Sequence, residues 1–270
     1  MQARSALFDL YGDYLRSKGG RASVAALVRL LAPLGIAAPA VRTAVSRMVR
    51  QGWLHPMRLV SGPGYLLTPK AARRLDETSA RTGRNGRIGW DGRFDLVLLH
   101  APVSRRHGQR LTFLGYGMLG EHAWVAPRPA DELDAVLIEA RVEYERFSAA
   151  HAAGSPSAAD LAGRAWNLGE LAQAYEEFVS GQRRALRAIT VRSTDEEAYV
   201  ARFHLLHAWR SVGLADPQLP SSLLPSPWPG TAAAVFADKH AARLRPAADR
   251  FVESCLGPIT RSGRMGFSEL

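Results

Sequence analysis

Val41, Val45, Met48 and Val49 fall at i, i+4, i+7 and i+8, and within a dozen residues a Gly–Pro-rich stretch follows them. That spacing places four apolar side chains on one stripe of a helix. Pro39 suits its first turn and Gly52 closes it. The opposite stripe carries Arg42, Thr43, Ser46, Arg47 and Arg50, with no acid among them. Three guanidiniums and two hydroxyls on one face can read base edges and phosphates in a major groove. The same face could equally be the solvated side of an ordinary helical protein, so this helix alone leaves both readings open.

The neighbouring segments favour the first reading. Leu7, Leu10, Tyr11, Tyr14 and Leu15 give an amphipathic helix over Arg4–Ser17, ended by Gly19-Gly20. Ser23 caps a second helix through Leu31, with Val24, Leu27, Val28 and Leu31 on one face, and Pro33 and Gly35 stop it. After the third helix, Trp53-Leu54 and Tyr65-Leu66-Leu67 read as strands around a turn at Ser61-Gly62-Pro63-Gly64. Thr68-Pro69 then opens another helix. Three helices, a hairpin and a helix is the order of a winged helix-turn-helix, expected over residues 1–82. On this reading Arg58, in the hairpin, is a phosphate contact.

Charge divides the chain in the same place. Residues 1–90 hold fifteen Arg/Lys against four Asp/Glu, whereas 91–270 hold twenty against twenty-one. A basic module on a neutral body suggests that one part meets a polyanion while the rest does something else. Lys18, Lys70 and Lys239 are the three lysines, and the other basic residues are arginines. Arginine suits phosphates and guanine edges, but a genome rich in Arg and Ala codons would produce the same excess.

Gly83-Arg84-Asn85-Gly86-Arg87 reads as a linker. Beyond it come a buried strand at Phe94–Leu99, a helix over Arg105–Leu114, a strand at His122–Ala126 and a helix capped by Asp131 with Leu133, Val136, Leu137 and Ala140. A weaker strand follows around Val142–Phe147. This order predicts a ferredoxin-like α+β domain over 88–155. Gly115-x-Gly117-x-x-Gly120 follows a helix and precedes a strand, the wrong context for a dinucleotide loop, and is read as a turn. Residues 156–270 read as an all-helical domain: a helix pair broken near Asn167-Leu168-Gly169, a helix over Thr194–Val212 and one over Thr231–Leu256. Five prolines within Pro217–Pro229 exclude a helix or central strand there. Leu219, Leu223, Leu224 and Trp228 between them predict a rigid loop packed on the body. The fold class is thus α+β.

No apolar run approaches the length of a membrane helix, and the N-terminus lacks a signal-peptide core, so a cytoplasmic protein without membrane partners is expected. The single cysteine, Cys255, excludes an internal disulfide and reads as a small buried hydrophobe. His204 and His207 stand i, i+3, a spacing compatible with a metal, yet no Cys or paired acid accompanies them; they read as core or pocket histidines. Walker, nucleophile-elbow and zinc signatures are absent from the sequence. No metal, cofactor or catalytic residue is expected.

The chain also resembles the PaaX-like transcriptional repressors, regulators of phenylacetate catabolism. The matching residues are Ala3-Arg4-Ser5-Ala6-Leu7-Phe8-Asp9-Leu10-Tyr11-Gly12-Asp13-Tyr14, Leu30-Leu31-Ala32-Pro33-Leu34-Gly35-Ile36 and the block from Val41 to Leu54. Trp90-Asp91-Gly92, Trp124-Val125-Ala126-Pro127-Arg128-Pro129, Ala165-Trp166-Asn167-Leu168 and the Asp216–Gly230 proline segment follow in order, with His207 and Arg210 just ahead of the last. The resemblance implies a winged helix, a ferredoxin-like domain and a helical domain working as a homodimer. It further implies release from operator DNA by an aryl-CoA thioester, phenylacetyl-CoA in the best-known members. No short ligand motif of the family carries over.

The expected activity is therefore that of a non-enzymatic, ligand-responsive repressor of double-stranded operator DNA. Two-fold symmetry would set two third helices roughly 34 Å apart. Trp166, His204, His207, Arg210 and Trp228 combine apolar surface with donors and are the candidate effector contacts. A metal-dependent nuclease built on the ferredoxin-like domain is the alternative; it would need acids beside Asp95. A non-specific architectural binder is the third reading.

Overall fold

The computed structural model describes residues 1–82, 89–152 and 156–257, so the linker read at Gly83–Arg87 lies outside the described residues. The chain is mixed α+β with two antiparallel sheets, and its contacts group it into two compact units. The first unit takes Met1–Asp76, Ala188–His204 and the chain from His240; the second takes Glu77–Arg187 and Leu205–Lys239.

In the first unit, α1 (Ala3–Leu10) widens into a π turn over Tyr11–Leu15 and tightens into a 3-10 turn over Arg16–Lys18. Leu7, Leu10, Tyr11, Tyr14 and Leu15 are all buried, as their spacing predicts, and Gly19 ends the run in the left-handed region at φ 88°. A short strand, β1 (Arg21–Ser23), precedes α2 (Val24–Leu31). The Ser23 hydroxyl caps α2, accepting from the Ala26 amide at 3.2 Å. The buried face of α2 is Ala26, Leu27, Leu30 and Leu31; Val24 and Val28 are only half-buried, so it is turned from the expected stripe. α3 (Ala38–Arg50) buries Val41, Ala44, Val45 and Met48.

The hairpin is β2 (Leu54–Leu59) and β3 (Gly62–Leu67), paired from Leu54↔Leu67 to Leu59↔Gly62. Its turn is therefore the two residues Val60-Ser61, and Gly62-Pro63-Gly64 belong to the strand instead of the expected turn. β1 adds to the other side of β3, giving the order β1-β3-β2. Its three residues show no strand alternation, and only the partner strand reveals it. Gly64 is what lets the sheet close: a Cβ there would lie 2.5 Å from Leu59 Cδ1 and 2.9 Å from the Ala22 carbonyl oxygen. α4 (Pro69–Thr82) follows, its Ala71 amide donating to the Thr68 hydroxyl.

The second unit runs β4 (Arg93–Leu99), α5 (Arg105–Phe113), β5 (Gly117–Gly120), β6 (Ala123–Ala126), α6 (Leu133–Ala140) and β7 (Tyr144–Ala150). The sheet order is β5-β6-β4-β7, antiparallel throughout. Two expectations are corrected. Of the run Gly115–Gly120, read as a turn, only Gly115 turns in the left-handed region, and Gly117–Gly120 supply edge strand β5. Asp131 does not cap α6; Glu132 occupies the cap and no side chain accepts there.

One face of this sheet packs Val97, Leu99 and Trp124 against Leu111, Leu133, Val136 and Leu137. The other packs Phe94 and Val125 against Ala162 and Trp166 of the next segment, together with Leu219 and Leu223. That segment is α7 (Ala158–Ala165), with a Ser157–Asp160 capping box, followed by α8 (Leu168–Arg187). The proline segment buries Leu219 and Leu223, as its interleaved leucines predict. α9 (Asp195–Ala215) and α10 (Pro229–Leu256) each contribute residues to both units.

Candidate nucleic-acid interface

Arg42, Thr43, Ser46, Arg47 and Arg50 are all exposed on α3, while Val41 and Met48 beneath them are fully buried. From Arg42 to Arg50 the stripe runs about 12 Å along the helix, enough to face several base pairs. No acidic side chain among the described residues pairs with Arg42, Arg47, Arg50 or Arg58.

The pose of α3 is held at both ends. Gly35 turns in the left-handed region at φ 75° ahead of it, and Gly52 does so at φ 71° behind it. The Trp53 amide donates to the Met48 carbonyl at 2.9 Å, and Lys70 Nζ donates to the Gln51 carbonyl at 3.0 Å. Such donors satisfy carbonyls that a helix end leaves open. Trp53 itself meets Phe8 edge-on at 5.4 Å and lies under Lys70 Nζ at 4.5 Å.

The hairpin is anchored to the helices by Tyr11, whose hydroxyl donates to the Tyr65 carbonyl at 3.1 Å. Burial, then Tyr65, pushes the Tyr11 pKa well above its usual range, so the O–H remains a donor. Arg58 is exposed opposite Pro63, and Val60 at the tip is 93% exposed. All six residues read from sequence as DNA contacts are thus solvent-facing.

The effector candidates are less uniform. Trp166 is buried, packed against Gly117, and its Nε1 has no partner. Trp228 joins the same apolar cluster and meets Tyr175 edge-on at 6.1 Å. Tyr175 also approaches Trp209 at 5.9 Å and donates its hydroxyl to Asp216 at 2.5 Å. His207 and Arg210 are half-buried beside Trp209 on α9 and already engaged. His204, one turn earlier on α9, is exposed and also engaged. A shallow cleft of about 380 Å³, counting space open to solvent, is lined instead by Leu114, Gly115, Pro127, Arg128, Pro217 and Gln218.

Asp95, the acid that a nuclease reading would need, is buried and already bonded. Tyr116 donates its hydroxyl to one carboxylate oxygen and Arg146 Nε donates to the other at 2.8 Å. Among the described residues no group of three His, Cys, Asp or Glu side chains is arranged to hold a metal ion, and no helix is long and apolar enough to cross a membrane.

Known proteins resemble this chain in sequence and in fold. Residues 2–71 match the PaaX-like protein family, and residues 166–254 match the PaaX-like protein C-terminal domain. The chain is 30% identical over 278 aligned positions to the transcriptional repressor PaaX of Escherichia coli (strain K12), covering 97% of this chain and 88% of that protein. Its fold is similar to that of the uncharacterized protein Rv0674 from Mycobacterium tuberculosis, with a TM-score of 0.58 and 24% identity. That likeness covers 93% of this chain and 98% of the other.

Proposed function

The chain belongs to the PaaX-like protein family, and on that premise we propose that it is a ligand-responsive transcriptional repressor. The observation that carries this is α3: an exposed, acid-free face of Arg42, Thr43, Ser46, Arg47 and Arg50 over a buried Val41/Met48 face. In this reading 1–82 is a winged helix-turn-helix, with α3 in the major groove and Arg58 of the wing on a phosphate. Residues 88–155 are a ferredoxin-like domain, for which the antiparallel order β5-β6-β4-β7 speaks. The helical domain is 156–270. The protein acts as a homodimer on a pseudo-palindromic operator.

The effector is an aryl-CoA thioester such as phenylacetyl-CoA, the ligand that the family resemblance implies. Trp166, His207, Arg210 and Trp228 of the second unit are the contacts proposed for it, with His204 the weakest of the set. An effector relieves repression only by binding the DNA-incompetent arrangement more tightly. A gel shift on the duplex upstream of its own gene, repeated with a panel of acyl-CoAs, tests both halves. Binding that is sequence-specific and lost with one aryl-CoA is expected. Binding without sequence preference would move the protein to the architectural class, and indifference to every acyl-CoA would remove the ligand assignment.

A further inference from the structure

Every helix leaves its last carbonyls without an intrahelical donor. Near the end of α2 the Leu30 carbonyl accepts from the Tyr199 hydroxyl at 2.9 Å, in a fully buried position. Near the end of α10 the Cys255 carbonyl accepts from the guanidinium of Arg29, which is itself on α2. Each of these helix ends thus takes a donor from another helix: α9 supplies one to α2, and α2 supplies one to α10. Lys18 and Glu253 add an ion pair at 2.6 Å on the outside.

Apolar contacts reinforce these bonds. Tyr199, Phe203, Ala248, Val252 and Cys255 belong to the same buried core as Leu27, Leu30, Leu31, Val41 and Val45. Tyr14 sits 5.4 Å from the Tyr199 ring and is stacked parallel to Phe203 at 6.4 Å. Burial pushes the Tyr199 pKa far upward, keeping the hydroxyl a neutral donor. A buried core is dense and has few alternative arrangements, so displacing one of these side chains moves its neighbours.

We propose that Tyr199 and Arg29 are positioning residues for DNA reading: segments 195–204 and 248–256 hold the α2–α3 pair in the pose that offers Arg42, Arg47 and Arg50 to base edges. The DNA-reading head is then assembled from three separated stretches of chain, and the N-terminal third does not complete it alone. The inference rests on the DNA-binding reading above. Base-edge contacts demand a defined helix pose, whereas phosphate contacts tolerate a loose one. The readout is therefore the preference for specific over random DNA.

Tyr199→Phe removes one oxygen without changing shape, and Arg29→Met keeps the straight stem. In the full-length protein, affinity is measured by fluorescence anisotropy for the upstream duplex and for a scrambled duplex at the same salt. We expect the preference of the Tyr199→Phe protein for the upstream duplex to fall about five- to tenfold, the scale of one lost buried hydrogen bond, with scrambled affinity nearly unchanged. A merely destabilised protein would lose active fraction toward both duplexes and keep the ratio. An unchanged ratio in both variants overturns the proposal. Absence of any preference in the unaltered protein overturns the DNA-binding reading, and this inference with it. Should neither variant fold, hydrogen exchange on the unaltered protein decides. Amides of 195–204 and 248–256 gain protection together with α3 on adding the upstream duplex, and no gain there overturns the proposal.

Discussion

The indole of Trp166 lies so close to the backbone of Gly117 that a Cβ there would sit 2.6 Å from Cε2 and 2.7 Å from the Ala165 carbonyl oxygen. The ring has no room to swing aside, because it is buried among Phe94, Val125, Leu219 and Leu223. Gly117→Ala should therefore lower stability by about 1–3 kcal/mol through overpacking. Gly120→Ala on the same strand has open space and should cost far less. Paired denaturant melts would show the contrast, and equal midpoints would refute it.

Asp95 makes a second test of the same unit. Its carboxylate is buried and takes the Tyr116 hydroxyl on one oxygen and Arg146 on the other. Asp95→Ala leaves both donors without their acceptor and should cost about 3 kcal/mol or more. Asp95→Asn keeps one acceptor and should cost less. Stability curves of the two variants in urea would rank them.

The arginines of α3 and the wing should show themselves through salt. Each guanidinium on a phosphate releases a counterion, so Arg58→Ala should reduce the slope of log affinity against log salt by about one while leaving sequence preference intact. Arg47→Ala should instead relax preference at one or more base pairs if it reads a base edge. Anisotropy titrations at several salt concentrations separate the two outcomes.

Acid should act on the first unit through Asp195. The Arg250 guanidinium donates to both its oxygens, at 3.0 and 2.6 Å, and holds its carboxyl below the usual range. A depressed carboxyl stabilises fully above its unfolded pKa, and that contribution is lost as pH falls through the lower folded value. The melting temperatures of the native and Asp195→Asn proteins should thus differ by a constant amount from neutral pH down to the ordinary carboxylate range. Below it they should converge. The pair is solvent-exposed, so the difference will be small.

Most local structure was legible. Val41, Val45 and Met48 are buried and the arginines between them are not, because a helical repeat writes burial directly into spacing. Ser23 and Thr68 cap the helices that follow them, because their hydroxyls accept from amides three residues on. Besides the Asp131 cap and the face of α2, what failed were features set by a partner strand. Gly62-Pro63-Gly64 carries every local mark of a turn, yet it pairs with Leu59, Arg58 and Met57. β1 and β5 are three and four residues long, too short for alternation to register.

By itself the sequence determined most of the helices, the Ser23 and Thr68 caps, the basic face of α3 and the family, since these are written in neighbours a few residues apart. Only the tertiary structure decided which residues share a core. That Tyr199 meets Leu30, and Arg29 meets Cys255, follows from burying apolar faces and satisfying helix-end carbonyls across more than 160 residues of chain. No local pattern encodes such a pairing, because the donor and acceptor become neighbours only once the core between them has formed.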